Sequence, residues 1–247
     1  MLPLKDDVPT RSFPVVTVAL IVINVLAYLY EFALGMPAEP TRGARLAAER
    51  AYQAFIYEFG LIPCRMGEVC PSRLATALAG APHPWLTVFT SMFVHGGLFH
   101  VGGNMLYLWI FGNNVEDSMG RGRFVVFYLL CGVAAALAQY LRDPASPVPM
   151  VGASGAVSGA LGAYLILYPH ARIWTLVGFG WFWRLVPVPA VIVLGFWIVF
   201  QVLNGLITFG KDQPGGVAFL AHVGGFVAGM ALIGLFRRRP QIAYRRF

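Results

Sequence analysis

The sequence predicts an all-α integral membrane protein with six transmembrane helices. Both termini are expected on the cytoplasmic side, and a long extracytoplasmic loop joins helices 1 and 2. Three observations carry this. Apolar residues make up 58% of the 247-residue chain and charged residues only 12%, with a mean hydropathy of +0.68, whereas a soluble domain carries roughly 25% charge. Six apolar segments, at about 14–34, 98–115, 122–141, 154–169, 187–206 and 216–236, reach or approach the ~20 residues that a helix needs to cross a bilayer. They lack the alternation of a membrane β-strand. Lys and Arg are also unevenly spread: in the tails and short loops, eleven fall on the side that holds the termini and two, Arg142 and Lys211, on the other. Such a bias marks the cytoplasmic face.

Residues 1–13 form a short cytoplasmic tail, and 14–236 one six-helix membrane domain. The first span has no charge before Glu31 and is followed by further spans, so it is not a cleavable signal. Loop 35–97 is too long to be a mere connector. Within it, Arg45 to Phe59 reads as an amphipathic helix, with Leu46, Tyr52, Phe55 and Ile56 at helical spacing. Cys64 and Cys70 share a polar stretch of this loop and are compatible with a bridge or with two free thiols. Cys131, inside an apolar helix, reads as packing. The segment LTVFTSMFVHGGLFH after Trp85 is apolar and uncharged, and is expected to lie partly in the outer leaflet. Loop 170–186, with Trp174, Trp181 and Trp183, reads as a cytoplasmic interfacial segment. The chain's net charge is +7, and five of its arginines, Arg237, Arg238, Arg239, Arg245 and Arg246, cluster in the tail 237–247. That is a membrane flank facing the lipid bilayer, so no nucleic-acid partner is expected. No organelle-targeting extension precedes the first span, so the expected location is a bacterial cytoplasmic membrane.

The chemistry concentrates in Met150 to Ala163, MVGASGAVSGALGA. Pro144, Pro147 and Pro149 mark a loop that becomes an apolar helix at Ser154. Amides at a helix start have no intrahelical acceptor and carry the positive end of the helix dipole. A serine there can attack a carbonyl while its own N–H stabilises the oxyanion. The small residues around it also favour close helix packing. Within the spans the other unusual polar groups are His100 and Asn104, Ser158, and His222. Spans two, four and six run in the same direction, so depth counts upward from each cytoplasmic end. His100, Ser154 and His222 all fall ~22–24 Å above the inner boundary. On span six, Gly225 and Gly229 share a face with His222, and span four offers Gly155, Gly159 and Gly162. Two thin faces bring backbones together, which makes Ser154 the candidate nucleophile and His222 the candidate general base. No carboxylate lies near this depth, so a dyad is expected. His100 and Asn104, one turn apart, face the same way and join the Ser154 N–H as candidate oxyanion donors.

With HGGLFHVGGN (95–104), GASGAVSG (152–159) and AHVGGFVAG (221–229) in this order, the chain resembles the rhomboid intramembrane serine proteases over nearly its whole length. The resemblance implies a Ser154–His222 dyad acting through an acyl-enzyme, with His100 and Asn104 assisting the oxyanion. It also implies cleavage of transmembrane-helix substrates near the outer membrane face, with loop 206–216 and span five as cap and gate. It assigns His95 a structural role. Two positions depart from the pattern. Trp85-Leu86-Thr87 lacks the arginine of a Trp-Arg pair, and Ser158 stands where relatives often carry a tyrosine stacked on the catalytic histidine.

No cofactor and no metal is expected. HExxH is absent, and no span carries the two aspartates of an aspartyl protease. Residue 156 is alanine, so the G-x-S-x-G elbow fails. The competing classes are a transporter or channel lined by the same polar groups, and a non-catalytic binder of membrane clients. Neither needs Ser154.

Overall fold

The computed structural model describes residues 2–179, 182–208 and 218–237. The protein is mostly helical, and among the described residues four helices are long and apolar enough to cross a membrane: Val15–Leu34, Arg121–Arg142, Ala190–Ile207 and Phe219–Phe236. In chain order the elements are β1 (Leu2–Asp6), α1 (Val15–Leu34), α2 (Arg42–Phe59), α3 (Pro63–Met66), α4 (Ser72–Ala77), α5 (Pro84–Thr90), α6 (Leu98–Tyr107), a π-helical turn Leu108–Gly112, and α7 (Asn113–Met119). They continue with α8 (Arg121–Arg142), α9 (Ser154–Leu167), β2 (Arg172–Phe179), β3 (Phe182–Pro189), α10 (Ala190–Ile207) and α11 (Phe219–Phe236).

Helix α1 is turned inside out relative to a helix of a soluble bundle. On α1 the buried residues are Thr17, Asn24 and Glu31, seven apart on one stripe, while Leu26 and Tyr30 are 60% and 58% exposed. Polar groups inside and apolar groups outside is the distribution a lipid solvent favours, because an inward polar group finds a partner that hydrocarbon cannot supply. Glu116 illustrates it. Its carboxylate accepts from the Val16 and Thr17 amides and the Thr17 hydroxyl at 3.0, 2.8 and 2.8 Å, filling the orphan donors at the start of α1, where Pro14 gives no side-chain cap. Next to it, Asp117 accepts from the Arg11 and Ser12 amides and the Ser12 hydroxyl.

The segment read as a second span, 98–115, continues through the π-helical turn to Met119, and Gly120 at φ 84° ends it. Helix α9 is short, and ten of its residues are buried, from Ala156 to Leu167. It is sheathed by α8 and α11. A methyl group on Gly225 would run into the Gly155 carbonyl, one on Gly229 into the Gly159 carbonyl, and one on Gly162 into the Phe226 carbonyl. Glycine is therefore required for α9 and α11 to pack main chain against main chain.

The expectation of an all-α fold is corrected by a three-stranded antiparallel sheet in the order β1-β2-β3. Part of the N-terminal tail, Leu2–Asp6, is its edge strand, and the segment read as an interfacial loop, 170–186, is largely the β2–β3 hairpin. The reason is period-two patterning: Ile173 and Thr175 are fully buried while Trp174 between them is 39% exposed. Tryptophan on the exposed positions makes both faces look equally apolar in the sequence. Trp181, most of the expected cap loop (209–216), and residues 238–247 of the basic tail lie outside the described residues.

Loop 35–97 is built rather than loose. Its amphipathic helix is α2, starting three residues earlier than expected and capped by the Thr41 hydroxyl. Cys64 and Cys70 form a disulfide. The same stretch grips the loop before α9: Leu61 and Met150 exchange backbone hydrogen bonds at 3.0 and 2.7 Å, and the Cys64 N–H donates to the Ser146 carbonyl at 3.0 Å.

Candidate active site

Ser154 is the first residue of α9, and the backbone before it is set from two directions. The Gly152 N–H donates to the Ser91 carbonyl at 2.8 Å, and the Ala153 N–H to His95 Nε2 at 3.4 Å. Gly152 sits at φ 117°, where residues with a Cβ are strained. A Cβ there would also lie 2.6 Å from His100 Nε2 and 3.6 Å from Asn104 Nδ2. Glycine is thus needed twice at this position, for the turn and for the approach of the two side chains.

The residues singled out in the sequence converge. Ser154 Oγ lies 2.8 Å from His222 Nε2, bridging α9 and α11. His100 Nδ1 accepts from the Gly96 N–H at 3.3 Å, which leaves the proton of the neutral ring on Nε2, the nitrogen that faces Gly152. Asn104 is 7% exposed, and its Nδ2 is one of five buried side-chain nitrogen or oxygen atoms among the described residues with no hydrogen-bond partner. A buried donor left unpaired is costly, so a donor held here beside the Ser154 loop is free to serve an acceptor that enters the cavity. These groups line a cavity of about 960 Å³ together with Trp197 and Tyr52. Phe99, also on its wall, is 95% exposed.

His95 is fully buried against this loop. Its own amide donates to both oxygens of Glu31 on α1, at 3.2 and 3.0 Å, so it ties the first helix to the residue before the serine. Ser158 does not face His222. Its hydroxyl donates to the Ser154 carbonyl at 2.6 Å, and the ring that lies against His222 is Trp197 of α10, with centroids 5.9 Å apart and planes at 35°. One polar partner was missed in the sequence. Gln201 Oε1 of α10 lies 2.8 Å from His222 Nδ1. The available signal was its chemistry: a primary amide inside the apolar run of α10 is a group that hydrocarbon cannot satisfy. Among the described residues, no group of three or more His, Cys, Asp or Glu is placed to hold a metal ion.

A family model described as the Rhomboid domain matches residues 82–239. Among curated proteins, the chain is 34% identical to the Rhomboid protease GluP of Bacillus subtilis (strain 168), over 60% of this chain and 26% of that protein. It is 31% identical to Rhomboid protein 1, mitochondrial, of Saccharomyces cerevisiae, over 59% of this chain and 40% of that protein. It is 29% identical to RHOMBOID-like protein 1 of Arabidopsis thaliana, over 94% of this chain and 56% of the relative. The matched region therefore spans from about a quarter to just over half of these relatives.

Proposed function

The chain belongs to the rhomboid family, and from that premise we propose that it is an intramembrane serine endopeptidase that cleaves transmembrane-helix substrates near the outer membrane face. The observation that carries the reading is the 2.8 Å contact between Ser154 Oγ and His222 Nε2, at the start of a helix and in a cavity. In this reading His222 Nε2 accepts the Ser154 proton as Oγ attacks the scissile carbonyl carbon. The oxyanion that forms receives hydrogen bonds from the Ser154 N–H, His100 Nε2–H and Asn104 Nδ2–H. His222 then passes its proton to the departing amine, leaving an acyl-enzyme. Water, deprotonated by the same nitrogen, releases the new carboxylate and restores Ser154.

The membrane arrangement that serves this chemistry has six spans. The four long helices are joined by the continuous helix of α6, the π-helical turn and α7, and by the short α9. Both termini lie in the cytoplasm, the disulfide-bearing loop lies outside, and residues 14–236 form one domain with flanking tails. At ~1.5 Å per residue, α9 alone covers only ~21 Å, so the loop leading to Ser154 dips below the outer surface. Irregular backbone at that depth is tolerated when it is buried in protein or lines a wet cavity, and hydrolysis needs the water. The substrates are transmembrane proteins in a bacterial cytoplasmic membrane.

The test is labelling by a fluorophosphonate probe in detergent. Wild type is labelled, and both Ser154→Ala and His222→Ala lose the label while remaining folded. A folded wild type that takes up no probe sinks the reading. So does cleavage of a single-span substrate that survives Ser154→Ala, whereas a transporter or client-binding protein would cleave nothing and would keep its own function in Ser154→Ala.

A further inference from the structure

We propose that Gln201 of α10 is a positioning residue that selects the reactive tautomer of His222. The inference rests on the reading of His222 as general base. A neutral imidazole carries one proton, on Nδ1 or on Nε2, and only the Nδ1–H form offers its Nε2 lone pair to a serine hydroxyl. The atom 2.8 Å from Nδ1 is the amide oxygen of Gln201, which accepts hydrogen bonds and cannot donate one. Nδ1 is therefore the nitrogen that holds the proton, and Nε2 accepts from Ser154 Oγ–H across its own 2.8 Å contact. The chain of donors runs in one direction, from Ser154 to His222 to Gln201. In a Ser-His-Asp triad a carboxylate does this work, and here a neutral amide does it. In a low-dielectric span that substitution has a physical logic, because an amide fixes the tautomer without the desolvation cost of a buried charge.

The location adds a second consequence. Gln201 is 6% exposed and lies one turn after Trp197, so both reach His222 from one face of α10. Trp197 bears on the ring and Gln201 holds its far nitrogen. Ser158 is committed to the Ser154 carbonyl, so α10 supplies both contacts that orient the base. Moving α10 outward would release them together.

The experiment uses the full-length protein in detergent with three variants. Gln201→Met keeps length and apolar fit but removes the acceptor, Gln201→Glu restores an acceptor, and His222→Ala is the control. The expected result for Gln201→Met is a roughly 10- to 100-fold fall in kcat with KM nearly unchanged, the cost of losing the group that holds the tautomer. Gln201→Glu recovers most of the loss. Nitrogen-15 NMR of labelled histidine, with the His222 signals identified by their absence in His222→Ala, shows a protonated Nδ1 in wild type and mixed tautomers in Gln201→Met. A wild-type spectrum with the proton on Nε2 overturns the proposal even if the Met variant fails to fold. Wild-type kcat in Gln201→Met overturns it too. The two readings fail separately: a His222→Ala protein that still labels with fluorophosphonate removes the general base itself, whereas a dead His222→Ala beside a fully active Gln201→Met removes only Gln201.

Discussion

Helices α9 and α11 meet through their main chains, whereas α10 meets the same pair through side chains. In the first contact Gly225 and Gly229 lie against the carbonyls of Gly155 and Gly159, with no room for a methyl group. In the second, the buried residues of α10 are only Ala190, Val193, Leu194, Gln201 and Gly205, and Phe196, Val199 and Phe200 on its other side are exposed. The difference separates two tasks. The tight contact sets where Ser154 and His222 stand, and the looser one sets how the His222 ring is turned. A lesion in the first should cost the fold, and a lesion in the second should cost the reaction.

Paired glycine substitutions break the comparison most strongly. Gly229→Ala drives a methyl group into the Gly159 backbone, so it should destabilise the protein by about 1–3 kcal/mol and abolish cleavage by displacing His222. Gly195→Ala on α10 has open space where its Cβ would go, and should change stability by no more than about 1 kcal/mol, in the favourable direction of helix propensity. Thermal unfolding in detergent reads both. Equal destabilisation by the two would dissolve the distinction between the contacts.

Trp197→Leu probes the looser contact. It removes the ring beside His222 and Phe226, an aromatic pairing worth about 0.5–1.5 kcal/mol. The expected outcome is a fall in kcat of about 3- to 10-fold with little change in the unfolding temperature. If the variant instead unfolds early while its activity per folded molecule is normal, α10 is structural glue and the division of tasks fails.

The smallest effect lies away from both contacts, at the sheet. Asp6 accepts from Asn114 Nδ2 at 2.6 Å and the Tyr164 hydroxyl at 2.7 Å, yet burial, with a lesser push from Asp7, raises its carboxyl from 3.8 to about 6. A carboxyl raised in the folded state favours folding when protonated. Its contribution is complete below the unfolded value of 3.8 and is lost as pH rises through about 6. Between pH 5 and pH 8 the protein should lose about 1 kcal/mol of stability through this group. Unfolding curves at the two pH values, compared between wild type and Asp6→Asn, isolate it, and an unchanged pH dependence in the variant would refute the assignment.

The candidate residues were legible because they are unusual polar groups on otherwise apolar helices, and the structure brings two of them, Ser154 and His222, to 2.8 Å. The glycines were legible because GxxxG spacing has only one physical use in a membrane. The sheet was hidden: in Arg172–Phe179 the buried Ile173 and Thr175 alternate with Trp174 and Leu176, and these apolar residues on the less buried face, after Arg172, erase most of the polar half of the pattern. Gln201 was hidden for a different reason. It belongs to no motif, and it meets His222 from a helix whose sequence gives no rotation angle once its exposed and buried faces are both apolar. The second segment ends at 115 in the sequence because the charged Glu116 and Asp117 follow, whereas the helix carries both on to Met119 and uses Glu116 to cap α1.

The glycine contact also fixes what the surrounding bilayer can change. Lipids that thicken or thin the membrane tilt helices by modest amounts, and side-chain layers between helices absorb such motion by changing rotamers. Between α9 and α11 there is no such layer, so the two helices answer a change in lipid composition as one body. The 2.8 Å distance between Ser154 Oγ and His222 Nε2 is thereby insulated from the membrane that surrounds it, and what lipids can still tune is the seat of α10 against the pair.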